Sequence, residues 1–177
     1  MNNVFNKKRR GFTLVELMIV VVIIGILSSL AIARYKRVVD RARIAEATLW
    51  CNRIAKAIET MGAETGEWPG HTPAGFVCAW PHNEVFDFNT DTRGGMLHDD
   101  PDESYPGWAG PYLSRIPVDP WGSPYCWDSD YLSPDGHEWV AAVVSWGPNK
   151  IKHRYDEDNI IVILSVEELP DEYYDVD

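Results

Sequence analysis

The fold of this chain is decided by residues 7–20, which read KKRRGFTLVELMIV. Four cations come first, and an almost entirely apolar run then extends over the 22 residues 12–33. As a helix, this run would span about 33 Å, which matches the roughly 30 Å hydrocarbon core of a bilayer. The sequence therefore predicts a single transmembrane helix. Its N-terminus is expected on the cytoplasmic side, because clustered Lys and Arg residues are retained there.

Glu16 is the one carboxylate within this apolar run. An acidic side chain near a bilayer centre costs about 2.5–3.5 kcal/mol on insertion scales, so such a residue is usually paired and functional. An ordinary secretory signal peptide is the first alternative, with residues 28–31 as its small-residue cleavage region. The helical pattern runs straight through that region, which argues against a cut there.

The basic leader followed by Gly11, Phe12 and Glu16 resembles the prepilin signature of bacterial type IV pilins and type II secretion pseudopilins. The resemblance implies that a prepilin peptidase removes the leader, residues 1–11, by cutting between Gly11 and Phe12. It also implies that the new N-terminus at Phe12 is methylated and that residues 12–33 remain as the filament-core helix. The amine of Phe12 would then be positive, and Glu16 of the same or a neighbouring chain would compensate it. We therefore expect Glu16 to act in assembly.

The helix is predicted to continue over residues 34–62, now amphipathic, and to stop at Gly62. Seven Lys or Arg residues against three acids make this segment cationic. Its cations either face the acidic heads of neighbouring subunits or are simply solvated. The apolar positions recur at three- and four-residue steps and form one stripe, which consists of Ala47, Trp50, Cys51, Ile54, Ile58 and Met61.

Residues 63–177 are expected to form an exported acidic head, with 23 Asp or Glu against five Lys or Arg. Such a surface repels phosphate backbones, so no direct binding of nucleic acid is expected. Little periodicity over residues 63–123 predicts a long loop region with short elements. Strands are predicted at residues 125–131, 138–144 and 160–166. The fold class is therefore α+β and pilin-like: a long N-terminal helix packed on a small antiparallel sheet.

A second marker lies at residues 117–125, which read PVDPWGSPY. It resembles the Asp-Pro-Trp-Gly turn that leads into the sheet of type II secretion major pseudopilins. Prolines limit φ, Gly122 permits a tight turn, and Trp121 can pack under the corner. Together the two markers favour a structural filament subunit, the major pseudopilin of a type II secretion system.

This resemblance also implies partners and a location. The partners would be further copies in a homopolymer, the prepilin peptidase, an inner-membrane assembly platform and minor pseudopilins. The chain would first be a single-pass protein of the bacterial inner membrane with its head in the periplasm. It would then enter a periplasmic or surface filament.

Residues 145–159 resemble a loop that holds calcium in related pseudopilins. The resemblance implies Asn149, Asp156 and Asp158 as ligands, together with backbone carbonyls. A metal-free loop closed by salt bridges remains the alternative, because four basic residues intervene: Lys150, Lys152, His153 and Arg154. The acidic segment of residues 99–103 lacks the regular spacing of a calcium loop, and a solvated loop is expected there.

Three cysteines in an exported head allow one disulfide and one free thiol, in three pairings. Cys51 lies on the apolar stripe, where a buried inert thiol is expected. Elimination therefore favours a disulfide between Cys78 and Cys126.

Other functions are less well supported by the sequence. A type IV pilus subunit for adhesion, motility or DNA uptake is the main alternative, and a monomeric membrane-tethered binding domain is a further one. Enzymatic activity is not expected, because the five histidines form no metal pair at helical spacing, and neither a nucleophile elbow nor a phosphate loop occurs.

Overall fold

The computed structural model describes residues 11–77, 83–133, 136, 138–152 and 156–168, with the backbone alone at positions 30, 33 and 168. The chain divides into two compact units, Met1–Arg41 and Ala42–Asp177. The leader residues 1–10, Cys78, His153 and Arg154 lie outside the described residues.

A single helix, α1 (Leu14–Thr65), accounts for 52 residues and contains both the apolar run and the amphipathic segment. Within the described residues it is the one helix long and apolar enough to cross a membrane. In the first unit its large apolar side chains are exposed, with Leu14 at 75% and Ile32 at 69%. An apolar surface of this kind is stable only against lipid or against other apolar helices.

The helix extends past Gly62, so the predicted stop was wrong by three residues. Gly66 ends it instead, with a positive φ of 78° and an N–H that donates to the Gly62 carbonyl at 2.9 Å. Such a left-handed residue after the last turn is a typical place for glycine. Glycine at position 62 instead makes room for a neighbouring side chain, because an added Cβ would lie 2.6 Å from Nε1 of Trp68.

The long loop region begins with a short hairpin whose strands have two residues each, β1 (Glu67–Trp68) and β2 (Thr72–Pro73). Short elements were expected in this region, and two 3₁₀ turns occur there, at Pro69–His71 and Thr92–Gly94. Farther along, Val85 forms an isolated antiparallel bridge with Trp127, with N–H···O distances of 2.9 and 2.8 Å.

The main sheet contains β3 (Cys126–Leu132), β4 (Glu138–Ser145) and β5 (Ile160–Glu168). All pairings are antiparallel and the order is β3–β4–β5. Each strand begins and ends within two residues of its predicted bounds. The α+β architecture expected from the sequence is thereby confirmed.

The core lies between the amphipathic half of α1 and one face of this sheet. Trp127 is fully buried there and packs edge-on against Trp68, with ring centroids 5.4 Å apart. Trp50 was expected on the buried stripe but is half-buried and lines a groove. The other five stripe residues have no exposed surface: Ala47, Cys51, Ile54, Ile58 and Met61.

Candidate functional site

The first turn of α1 carries a reciprocal cap formed by two residues of the prepilin-like motif. The backbone N–H and the hydroxyl of Thr13 both donate to Oε2 of Glu16 at 2.8 Å. The N–H of Glu16 in turn donates to Oγ1 of Thr13 at 3.2 Å. This is a capping box, which satisfies N–H groups that the helix start would otherwise leave unpaired.

The residues around this cap are open to solvent. Phe12 is 83% exposed, and an added Cβ on Gly11 would meet no atom within 4 Å. Gly11, Phe12 and Thr13 precede the helix without regular secondary structure. Oε1 of Glu16 has no hydrogen-bond partner in the described part of the chain. The local geometry therefore leaves the Gly11–Phe12 bond accessible and one carboxylate oxygen available to a neighbour.

The second marker forms a corner built around Asp119, which is 3% exposed. Its Oδ1 accepts from the N–H groups of Trp121 at 3.0 Å and Ser123 at 2.8 Å. Gly122, with φ of 90°, donates its N–H to the carbonyl of Asp119 at 2.9 Å. Trp121 remains half-buried. The sequence indicated this turn, whereas the central role of the Asp119 carboxylate emerges only from the structure.

Asp119 also connects the corner to the sheet. Its Oδ2 accepts a 2.7 Å hydrogen bond from Oγ of Ser145, the last residue of β4. The N–H of Gly147 lies 3.4 Å from the same hydroxyl oxygen. One carboxylate thus fixes both the entry to β3 and the start of the loop in which the calcium ligands were predicted.

In that loop the structure brings the three predicted ligands together. Nδ2 of Asn149 donates to both carboxylate oxygens of Asp156 and to one of Asp158, each at 3.0 Å. Oδ1 of Asn149 accepts from the N–H of Ile151 at 2.9 Å. Three carboxylate oxygens therefore converge on one exposed point, which an amide hydrogen-bond donor fills.

The ends of the loop approach each other very closely at Gly147. An added Cβ there would lie 1.9 Å from the carbonyl oxygen of Asp158, and φ is 63°. Only glycine fits both the conformation and the contact. This close approach holds Asp156 and Asp158 beside Asn149.

These donors satisfy part of the chemistry that calcium requires. Ca²⁺ takes six to eight oxygen ligands, and two carboxylates together with Oδ1 of Asn149, after rotation of its amide, would supply the first of them. Nowhere in the described ranges do three or more His, Cys, Asp or Glu side chains gather as a metal site. The remaining ligands would be carbonyls and water.

The long loop region contains a buried polar cluster that the sequence did not predict. Asp100 is 3% exposed and lies 3.4 Å from Nε2 of His71, whose Nδ1 is 2.9 Å from Glu67. The His71 ring stacks on Tyr105 at 4.1 Å. Burial opposes ionisation of Asp100, but hydrogen bonds from the Asp102 amide, His71 and Thr92 together hold its pKa below the usual value. The expected solvated loop is thus tied to the hairpin.

The thiols that the structure describes are buried. Burial raises the pKa of Cys51 to about 12 and that of Cys126 well above its ordinary value. The burial predicted for Cys51 is therefore confirmed. Cys126 forms no disulfide within the described residues, and Cys78 lies outside them, so the disulfide between Cys78 and Cys126 stays a prediction.

Comparison with known proteins agrees with both sequence markers. Residues 6–32 match the prokaryotic N-terminal methylation motif, and residues 89–163 match the family described as type II secretion system protein G. No solved structure matches the chain significantly.

The curated relatives include both kinds of protein that the sequence resembles. A fimbrial protein of Neisseria meningitidis is 42% identical over 93 residues, 52% of this chain and 55% of the relative. A type IV major pilin protein PilE1 of Neisseria gonorrhoeae is 40% identical over 70 residues, 40% and 33% of the two chains. The chain thus spans between a third and just over half the length of these pilins.

The type II secretion system core protein G of Pseudomonas aeruginosa is matched over a longer stretch. It is 30% identical over 130 residues, which cover 72% of this chain and 76% of the relative. On this match the chain belongs to the type II secretion system protein G family.

Proposed function

We propose that this chain is the major structural subunit of a filament that assembles at the bacterial inner membrane and serves type II secretion. The observation that carries the proposal is one uninterrupted helix whose apolar first part is exposed and begins with the capping box of Thr13 and Glu16. Membership of the protein G family supports the same function.

The proposal divides the chain by task. Residues 1–11 are the leader that a prepilin peptidase removes, after which Phe12 is methylated. Residues 12–33 span the membrane and later form the filament core. Residues 34–65 continue the helix, and from Ala42 onward it belongs to the compact head, which would lie in the periplasm. No catalytic role is assigned, and further copies, an assembly platform and minor pseudopilins are the partners.

A type IV pilus subunit is the second candidate, and the 42% identity to a fimbrial protein favours it. Deleting the gene separates the two. Loss of pseudopilus function leaves secreted proteins trapped in the periplasm, whereas loss of a pilus removes surface fibres and leaves secretion intact. Secretion assays and electron microscopy of the deletion strain, complemented with the wild-type gene, measure both outcomes.

Replacing Gly11 by alanine is expected to leave the uncut precursor in the membrane. An added Cβ meets no atom within 4 Å, so the helix itself is not disturbed and only recognition by the peptidase changes. Immunoblots of membrane fractions would resolve precursor from mature protein. Gly25→Ala is the matched control, because its Cβ also meets nothing within 4 Å. Normal-length mature protein from Gly11→Ala would contradict the proposed cut site.

Calcium is proposed as a ligand of the loop around Asn149, and its addition is expected to stabilise the head. A ligand at 100 times its Kd stabilises the folded state by about 2.7 kcal/mol, which shifts Tm by several degrees in a chain of this size. Thermal unfolding with millimolar calcium or with chelator tests this. Asp158→Asn should abolish the shift, whereas Glu157→Gln, an exposed neighbour in the same loop, should retain it. A Tm insensitive to calcium in the wild type would refute the site.

A further inference from the structure

A groove of about 580 Å³ lies between the amphipathic half of α1 and residues 112–115. Its lining carries three cations and two aromatic rings, contributed by Trp50, Arg53, Lys56, Tyr112 and Arg115. Among the described residues no carboxylate lines it, although the hydroxyl of Tyr112 donates to Glu64 at 2.7 Å beside it. The sequence indicated only the cationic helix segment, because the groove combines one face of that helix with residues 112–115, which lie far along the chain.

The groove is positively charged, whereas the head as a whole is strongly acidic. Arg115 is one of only five Lys or Arg in residues 63–177, which contain 23 acids. Among the described residues, Arg53 and Arg115 have no ion-pair partner, and Lys56 pairs with Glu59 at 2.9 Å on an exposed surface. The Arg53 guanidinium lies 5.0 Å from the centre of the Trp50 ring. The groove therefore offers charge-assisted hydrogen bonds to carboxylates.

A matching pair of carboxylates projects from the same head. Asp102 and Glu103 are exposed, and their side chains have no hydrogen-bond partner among the described residues. The backbone around them is fixed, because the N–H of Asp102 donates to Asp100 and that of Tyr105 donates to Asp99, each at 3.0 Å. This acidic turn, residues 101–104, thus presents two exposed carboxylates on a backbone that hydrogen bonds hold in place.

The groove and the acidic turn are separate patches of the head, because none of residues 101–104 lines the groove. A Cβ on Gly95 would touch both Met61 at 2.6 Å and Tyr105 at 2.9 Å, so the residue that closes the turn packs at the level of Met61. The groove cation Arg53 lies eight residues earlier, which corresponds to about 12 Å along the helix axis. A contact between two different patches is head-to-tail, and it propagates into an open filament when it does not close into a ring.

We propose that the groove receives the acidic turn of a second copy of this chain. The contact joins Arg53, Lys56 and Arg115 of one subunit to Asp102 and Glu103 of the next. It would set the stagger of neighbouring heads along the filament. The inference rests on the proposed function as a filament subunit and names one contact within it.

Cysteine crosslinking tests the contact in cells that express the full chain, with Cys78→Ser as the background. A chain with both Glu103→Cys and Arg115→Cys is expected to give a ladder of oxidised multimers. Two co-expressed chains that carry one substitution each should give dimers and no ladder, because each subunit then has one reactive end. Cys51 and Cys126 are buried and do not compete. Filaments of this double variant that form without any crosslink would overturn the proposed contact.

Charge reversal gives the second test. Arg53→Glu with Arg115→Glu should lower filament yield at least roughly tenfold, since it replaces attraction by repulsion across the contact. Adding Asp102→Arg and Glu103→Arg should restore it. Arg43→Glu, an exposed cation of the same helix outside the groove, is the control. If a lipid headgroup filled the groove instead, the reversal would not be rescued and no ladder would form. A wild type that forms no filament would defeat the proposed function itself, whereas normal filaments from the reversed variant would defeat this contact alone.

Discussion

Glu16→Gln is expected to abolish filament assembly while the leader is still removed normally. If the leader is removed as proposed, the amine at Phe12 is positive in the filament and needs a compensating carboxylate. Two unit charges about 4 Å apart attract by about 4 kcal/mol at an effective dielectric of 20, before desolvation is subtracted. Because about 1.4 kcal/mol corresponds to a tenfold change, the loss of even part of this term should reduce filament yield by more than tenfold.

Glutamine is the informative substitution because it keeps the cap. Its carbonyl oxygen can still accept from the N–H and hydroxyl of Thr13, which now donate to Glu16 at 2.8 Å. The variant therefore removes the charge and retains the geometry of the helix start. Thr13→Ala is the converse control: it weakens the cap by about 1 kcal/mol and leaves the carboxylate in place.

Immunoblots of mature protein and electron microscopy of sheared filaments measure the two steps separately. Abundant filaments from Glu16→Gln, together with their loss in Thr13→Ala, would assign Glu16 to capping rather than to charge compensation. Loss of cleavage in Glu16→Gln would assign it to recognition by the peptidase.

Asp119→Ala is expected to destabilise the head by about 3–5 kcal/mol. The substitution leaves two backbone N–H groups and the Ser145 hydroxyl without the acceptor that they now share. An unsatisfied buried donor costs about 1–3 kcal/mol, and hydrogen bonds to a charged acceptor are at the stronger end of their range. Denaturant unfolding of the full chain in detergent, followed by tryptophan fluorescence, measures the change.

Two variants divide this effect into its parts. Asp119→Asn keeps an oxygen for the N–H groups of Trp121 and Ser123 and should cost less than half as much. Ser145→Ala removes only the connection to β4 and should cost about 1 kcal/mol. If Asp119→Ala proved as stable as the wild type, the carboxylate would not be what holds the corner.

Local sequence signals predicted the helix and the strands because each signal acts over a few residues. The period of the apolar stripe identified five core positions on one helix face, and Gly122 with its flanking prolines identified the corner. Trp50 was expected to be buried but is half-buried, because the apolar pattern of a helix gives no information about which elements pack beside it. The end of α1 was misjudged at Gly62, where glycine makes room for Trp68 rather than stopping the helix.

The parts that the sequence did not reveal depend on contacts between distant residues. Asp119 and Ser145 are 26 positions apart, and His71 and Asp100 are 29 apart. A periodic pattern in the sequence does not predict contacts between residues so far apart. The convergence of Asn149 with Asp156 and Asp158 was anticipated only because the loop resembles one in related proteins. The cationic segment of α1 was visible in the sequence, where its cations were expected either to face acidic heads or to be solvated. The groove itself was not predicted, since Arg115 is an ordinary exposed residue in its own segment.

The exposed apolar flank of α1 has an energetic consequence for growth. Lipid tails and neighbouring stalks are equally oily surroundings, so moving this flank from one to the other changes little solvation free energy. In the proposed filament, the flank therefore contributes little to the direction of growth, which must come from the polar contacts that each arriving subunit adds.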